Sequence, residues 1–471
     1  MGFLIYDLSL LVVFAIFVAI FLYYRRHNLK KEGLLLLYRT SWGIKVINYV
    51  GNKYQRTLKF LSYVSIGLGY VLMASVIYFF GRIVYIYAFH KEIVQAIKIP
   101  PIMPLIPYLP KVFHLDFLPE FPFIYWIVIL AIIAITHEFA HGIFAAYNRI
   151  KIRTTGFGFF PFFLPVFLAA FVELDEEKMA KEKKLKQMAI LSAGTFANVV
   201  TGVVFFVLMV LFFFSAFAPV GVGFDDYAYS ITGIGNVSSV NGINLENASS
   251  ENILVLMNQS VLGNLVADGK NYSGIAGFSS DGNYLGLYDD APAINAGLVG
   301  VIENINDIKI TSREKLGEEL LKHFPSDSVE ITALTSEGEK TYEIVLGEHP
   351  EKTGEPWLGI AFADRSASGI TGRVSAWLSS FRKPNVYYES AIGEFGDFVY
   401  NLLWWIVLIS ISVALVNMLP VGIFDGGRFF YLTILGITGS KSKAEKSFRF
   451  VTYFFLFLLL LIMCFWALSF F

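Results

Sequence analysis

The stretch Phe121-Pro-Phe-Ile-Tyr-Trp-Ile-Val-Ile-Leu-Ala-Ile-Ile-Ala-Ile-Thr136-His137-Glu138-Phe139-Ala140-His141 decides how this chain is read. A largely apolar run, Phe121 to Thr136, leads straight into an HExxH motif. A run of this length reads as a membrane helix. On a helix, side chains at i and i+4 share a face, so the imidazoles of His137 and His141 can meet at one metal ion. Glu138 lies beside them and can take a proton from a metal-bound water. Two ordinary helix histidines with a glutamate between them is the weaker reading. Three ionisable groups at membrane depth are costly without a task. The pattern points to metal-dependent hydrolysis within a bilayer.

The composition agrees. Of 471 residues, 55% are hydrophobic and 17% aromatic, which is too apolar for a soluble protein and fits a polytopic membrane protein. The net charge of −1 gives no case for nucleic acid. The single cysteine, Cys464, excludes disulfides within the chain and a cysteine-based zinc site. Any metal must use histidine and carboxylates. No small-residue cleavage pattern follows the first apolar segment, so that segment reads as a span and not a removed signal peptide.

Six segments are long and apolar enough to span: Leu8–Tyr24, Phe60–Gly81, Phe121–Tyr147, Met188–Ala218, Phe398–Leu419 and Phe450–Phe471. Phe429–Gly439 is apolar but short, as a broken or partly buried helix would be. Lysines and arginines crowd the loops after the first and third spans and before the last. The loop from Arg82 to Glu120 holds only Arg82, Lys91, Lys98 and Lys111. Placing the basic loops in the cytosol puts both termini outside and His137 and His141 toward the cytosolic end of their helix.

Gly156–Val172 is apolar but carries Gly156, Gly158, Pro161 and Pro165, which disfavour a straight helix. A re-entrant hairpin or strand lining a cavity is expected, with a poorly packed interfacial loop as the alternative. Glu173, Asp175, Glu176 and Glu177, beside Lys181–Lys186, read as a solvated amphipathic segment. Between Ala218 and Phe398 charges, Gly, Asn and Ser rise, and no membrane-length run remains. This is expected to be a folded domain on the outer side, where N-x-S sequons cluster at Asn236, Asn247, Asn258 and Asn271. Strands are expected over Gly300–Ser312 with a turn at Asn306-Asp307, then over Asp327–Ala333 and Lys340–Leu346 around Glu337-Gly338. A helix over Arg313–His323 lies between them. This segment looks like the later part of a PDZ domain. Ser239-Val-Asn-Gly-Ile-Asn-Leu suggests a second unit, or part of one interrupted unit. A small α/β domain without a peptide groove is the plainer alternative.

A catalytic zinc usually takes a third protein ligand and a water. His27, His90 and His114 precede the motif, and His323 and His349 lie in the insert. Asp425 is the candidate, in Asn417-Met-Leu-Pro420-Val-Gly-Ile-Phe-Asp425-Gly426-Gly427 at the cytosolic end of the fifth span. N-x-x-P followed by D-G-G, paired with a distant HExxH, resembles the site-2 protease family of intramembrane zinc metalloproteases. Gly194-Thr-Phe-Ala-Asn198 is similar to that family's G-x-x-x-N element, and the PDZ-like insert stands at the family's position. Phe171-Val-Glu173 before an acidic cluster resembles archaeal members. Gly422 stands where the family often has a second proline. The resemblance implies that His137, His141 and Asp425 bind zinc and that Glu138 is the general base. It implies that Asn198 and Asn417 position substrate or stabilise an oxyanion, against a plain helix–helix bonding role for each.

The expected architecture is a polytopic α-helical membrane protein of about six spans with an inserted extracytoplasmic PDZ-like α/β domain. Its parts are N-terminal spans over 1–120, a catalytic membrane core over 121–220, the PDZ-like insert over 221–395, and the completing D-G-G segment with the last span over 396–471. The expected function is zinc-dependent cleavage of transmembrane segments of client proteins, the already trimmed products of another protease, in the cell membrane. The alternatives are a metal transporter or sensor, which would not need Glu138, and a non-catalytic receptor with a peptide-binding outer domain.

Overall fold

The computed structural model describes residues 2–469 apart from 33–34, 98–99, 102, 104, 116–117, 161–165, 259, 280–281 and 364–368. The chain divides into two compact units, Met1–Leu211 with Phe398–Phe471, and Phe212–Asp397. Among the described residues, six helices are long and apolar enough to cross a membrane, so this is a polytopic helical membrane protein.

The first unit opens with α1 (Gly2–Tyr24), the strands β1 (Leu29–Glu32) and β2 (Leu35–Thr40), and the helices α2 (Ile44–Lys53) and α3 (Gln55–Phe89). Two short helices, α4 (Lys91–Ile97) and α5 (Leu109–Val112), precede α6 (Phe123–Tyr147), which carries the HExxH motif. The Gly156–Val172 stretch folds as strands β3 (Ile152–Phe160) and β4 (Val166–Leu174). Pro161 and Pro165 lie outside the described residues. The four strands pair antiparallel in the order β1-β2-β3-β4, which leaves β4, among the described residues, with one edge unpaired by any strand. Glycine at 156 allows the sheet to close. A Cβ there would lie 2.1 Å from the Tyr38 carbonyl oxygen. The acidic cluster that follows caps a helix: Asp175 accepts from the Lys178 amide at the start of α7 (Glu176–Lys181). The long α8 (Lys184–Ala216) comes next.

Among its described residues the second unit holds two six-stranded sheets, each with its own apolar core, and two two-stranded sheets. Its elements in chain order are β5 (Phe217–Gly223), β6 (Asp226–Tyr227), β7 (Tyr229–Gly233), β8 (Val237–Val240), β9 (Ile243–Asn244), α9 (Ser250–Leu256), β10 (Leu262–Ala267), β11 (Lys270–Phe278) and β12 (Tyr284–Asp289). There follow α10 (Pro292–Asn295), β13 (Val301–Ile305), β14 (Ile308–Lys309), α11 (Arg313–Leu320), β15 (Ser328–Thr335), β16 (Gly338–Val345), β17 (Gly347–His349), β18 (Lys352–Trp357), β19 (Ile360–Ala361), α12 (Gly369–Ser379) and β20 (Val386–Ser390). The sheet β7-β12-β11-β10-β8-β9 is built from one continuous segment. It is nested inside the chain of the sheet β16-β15-β13-β5-β20, because β5 precedes it and β13 follows it. Hence the region around Ser239 belongs to a separate packed module. The turns sit where expected: Asn306 is in the left-handed region at φ 51° between β13 and β14, and Gly338 begins β16.

Three helices complete the first unit: α13 (Glu394–Asn417), α14 (Asp425–Thr438) and α15 (Lys441–Leu468). The short apolar segment expected to be a broken helix is α14, which begins at Asp425. The apolar core around the site draws on Leu72 and Met73 of α3, Phe144 and Ala145 of α6, Ile190 and Ala193 of α8, Met418, and Phe429 and Leu432 of α14. Nearer the other end of α6, Phe121, Phe123, Trp126 and Ile133 pack with Trp405 and Ile406 of α13. Asp7 of α1 is buried there. Its carboxylate accepts from the amides of Phe123 at 2.7 Å and Ile124 at 3.0 Å, and from the Tyr108 hydroxyl. These amides begin α6 and have no partner within the helix, so the charge is both hydrogen-bonded and set against the positive end of the helix dipole.

Candidate metal centre and active site

The i, i+4 spacing brings the two imidazoles together on α6, with Nε2 of His137 and Nε2 of His141 3.0 Å apart. Asp425 arrives from the first turn of α14. Its Oδ2 lies 3.4 Å from His137 Nε2 and 3.2 Å from His141 Nε2. The glycines of the D-G-G sequence make this approach possible. A Cβ on Gly426 would lie 2.5 Å from the Met418 carbonyl oxygen, and one on Gly427 2.4 Å from that of Val421. The backbone after α13 therefore folds directly against the start of α14, which presents the carboxylate to the histidines.

The second nitrogen of each ring is engaged. His141 Nδ1 is 2.7 Å from the Ile190 carbonyl oxygen, which can only accept, so Nδ1 carries the proton and Nε2 keeps its lone pair. The side-chain amide of Asn198 is 3.0 Å from His137 Nδ1, and the other end of that amide is buried with no partner. Hydrogen bonding alone therefore does not choose which end faces the ring. With Oδ1 accepting from Nδ1–H, the Nε2 of His137 also has a lone pair. Two imidazole lone pairs and a carboxylate oxygen then converge on one point, and a cation relieves their repulsion. The spacing fits zinc. Tetrahedral N and O ligands at 2.0–2.1 Å stand about 3.3 Å apart, against 3.0, 3.2 and 3.4 Å here. His137, His141 and Asp425 are the group among the described residues that could hold a metal ion.

Gly194 lies one turn before Asn198 on α8. A Cβ at this position would be 2.4 Å from His141 Nε2 and 2.6 Å from His137 Nε2. Residues 194 and 198 thus share the face of α8 that packs on the two rings. The spacing of the G-x-x-x-N element carries that signal. Nothing local in the sequence marks the carbonyl of Ile190.

A cavity of about 1190 Å³ opens onto the three ligand candidates. Glu138 lines it with one carboxylate oxygen, Oε2, accepting from the Val172 amide at 3.0 Å. Asn417 lines it too, whereas Asn198 is fully buried behind His137. One wall is the edge strand β4, through Ala169, Ala170, Phe171, Val172 and Glu173. Glu173, ion-paired with Arg39 at 3.2 Å, lines the cavity together with Glu176 and Glu177, so the acidic cluster borders the site instead of being only a solvated segment. Arg428, one turn after Asp425 on α14, also lines the cavity and was not singled out by its sequence context.

The chain matches the family model of peptidase family M50 over residues 125–462, a span containing HExxH, Asn198 and Asp425. It is 29% identical to the zinc metalloprotease RasP of Bacillus licheniformis over 196 residues, 36% of this chain and 46% of RasP. It is 42% identical to an uncharacterised protein of Methanocaldococcus jannaschii over 79 residues, 17% of this chain and 20% of that protein. These matches span less than half the length of either relative. The chain belongs to peptidase family M50, the site-2 protease family, whose metal is zinc.

Proposed function

We propose that this chain is a zinc endopeptidase that cuts transmembrane segments of client membrane proteins within the bilayer. The observation that carries the reading is the convergence of His137, His141 and Asp425 at ligand spacing on a cavity that Glu138 also lines. His137, His141 and Asp425 would hold the zinc. When bound, zinc supplies a polarised scissile carbonyl and a water acidified to a pKa of about 7. Glu138 is the base. Its Oε2 is held by the Val172 amide, which leaves Oε1 to receive the proton and later return it to the leaving amine. Ile190 and Asn198 fix the two rings by holding their Nδ1 protons. Asn417, on the cavity wall, positions the substrate.

A transmembrane helix hides its carbonyls in its own hydrogen bonds, so the client must unwind locally. Strand β4 offers the extended chain a template. Val172 turns its amide away from β3 toward Glu138, and by the alternation of an antiparallel ladder Ala170 presents its backbone to the same edge. A client strand added there would run past Glu138 and the metal site. The charge pattern supports the cell membrane, with the active site toward the cytosol and the inserted unit outside as a PDZ-like screen of clients already trimmed by another protease. A transporter or sensor reading uses the same ligands but leaves Glu138 on the cavity wall without a task. The deciding experiment incubates purified protein with a single-span model substrate, with and without a zinc chelator. Cleavage that chelation abolishes and zinc restores is expected. Metal binding without cleavage of any single-span substrate would favour the transporter or sensor.

A further inference from the structure

Four N-x-S sequons, at Asn236, Asn247, Asn258 and Asn271, play no part in the peptidase reading. They are not scattered. Of the 20 asparagines in the chain, eight fall between residues 236 and 271, and four of these eight head a sequon. None of the other twelve is followed by x-Ser or x-Thr. All four sequons lie in the nested module formed by β7 to β12, and the fold leaves all four asparagines exposed.

An N-linked glycan needs an amide nitrogen that the folded chain can spare. Asn236 has little to spare, because its Nδ2 donates to Thr232 Oγ1 at 3.3 Å and to Asp268 Oδ2 at 3.2 Å. A glycosylated amide keeps one of its two N–H groups, so a sugar there would forfeit one of these bonds. Asn247, Asn258 and Asn271 make no side-chain hydrogen bond among the described residues. Two of them bracket α9. Asn247 lies just before the N-cap, Ser249, and Asn258 just after the last helical residue, Leu256. One side of α9 is buried, with Ile253 in the core beside Val240 and Leu265. The other side carries Leu254, 47% exposed, and Val255, 71% exposed. An apolar helix face in water is a liability unless something covers it. The helix is about 10 Å long, short enough for bulky, solubilising glycans at its two ends to overhang it.

We propose that Asn247, Asn258 and Asn271 carry N-linked oligosaccharides, and that those at Asn247 and Asn258 cover the Leu254 and Val255 side of α9. The donor is an oligosaccharide held on a membrane lipid through a diphosphate. The asparagine Nδ2 attacks the anomeric carbon, where a C–N bond forms and the C–O bond to the diphosphate breaks. The lipid diphosphate leaves with the bonding electron pair, and the amide proton passes to a base of the transferase. The proposal rests on the outward orientation of the inserted unit, argued above from the charge pattern, and not on the peptidase activity.

The test purifies the full chain from the membranes of its own host and analyses its peptides by mass spectrometry. Peptides containing Asn247, Asn258 and Asn271 should each carry a glycan mass. Asn247→Gln, Asn258→Gln and Asn271→Gln should each move the intact protein down a gel by one step. With Cys464→Ala as background, Val255→Cys should react with a bulky maleimide at least about two-fold more slowly than when Asn247→Gln and Asn258→Gln are added. Equal rates would overturn the covering role. In the same background Glu351→Cys, exposed in the turn between β17 and β18, reports orientation through a maleimide that cannot cross the membrane. Labelling at 351 on intact cells, with bare asparagines at 247, 258 and 271, would overturn the proposal and leave the orientation standing. Labelling at 351 only after the cells are permeabilised would put the inserted unit in the cytosol and overturn both. A glycan at Asn236 and none at the other three would show that a spare amide does not select the site, and would overturn the proposal equally.

Discussion

Gly194→Ala should empty the metal site while leaving the fold intact. The added methyl carbon would stand 2.4 Å from His141 Nε2, 2.5 Å from His137 Cε1 and 2.6 Å from His137 Nε2. These distances fall short of ordinary contact by about 1 Å. The rings have nowhere to retreat without losing their other bonds, because His141 is tied to the Ile190 carbonyl at 2.7 Å and His137 to Asn198 at 3.0 Å. Metal–ligand distances tolerate only about 0.2 Å, so a ring shift of about 1 Å removes a ligand. Loss of an outer-shell partner already lowers affinity 10- to 100-fold, and displacing the ligand itself should cost at least about 100-fold. Overpacking should lower stability by about 1–3 kcal/mol, which leaves the protein folded. Zinc content by elemental analysis and zinc affinity by chelator competition measure the effect, with thermal unfolding alongside. Gly202→Ala is the control on the same helix. Its Cβ would press at 2.8 Å on the end of the flexible Ile411 side chain, far from the metal ligands, and zinc should stay. If Gly194→Ala held one zinc with unchanged affinity and cleaved normally, the rings would not be confined as described.

Other perturbations separate the remaining roles. Glu138→Gln should keep one zinc per chain and lose nearly all cleavage, because an amide cannot accept the proton; loss of zinc in this variant would make Glu138 a ligand instead. Asp425→Ala removes one of three protein ligands and should lower zinc occupancy, and normal zinc by elemental analysis would exclude it from the site. Asp7→Ala strands the amides of Phe123 and Ile124, so it should cost about 1–3 kcal/mol in unfolding while zinc is retained, and an unchanged melting temperature would show that the tie contributes nothing. Residues 218–389 can be replaced by a short Gly-rich linker, because Phe217 and Ser390 are paired across β5 and β20. The shortened enzyme should still cut a pre-trimmed substrate and should lose discrimination against full-length clients; a folded, zinc-loaded product that cuts nothing would place the inserted unit in substrate delivery or catalysis.

Local periodicity made much of this protein legible. The i, i+4 rule alone places His137 and His141 side by side where one metal could meet both, and uninterrupted apolar length alone marks the six membrane helices, although α3 runs from Gln55 to Phe89 and exceeds its apolar core at both ends. Glycines and prolines within an apolar stretch were enough to expect strands at Gly156–Val172 in place of a helix. Residue type also narrowed the third candidate ligand to Asp425, since carboxylates near membrane depth are few. The tertiary structure decided the rest. It set Gly194 and Asn198 of α8 against the histidine rings and the Val172 amide of β4 on Glu138, and it made β4 an edge strand open to the cavity. It also separated the segment around Ser239 as a nested module. The physical reason is range. Helix and strand periods are written into neighbouring residues, whereas the contacts that confine a metal ligand or expose a strand edge are made between distant segments. Those depend on which small residues let two backbones approach, and a sequence pattern specifies that only once the packing partner is known.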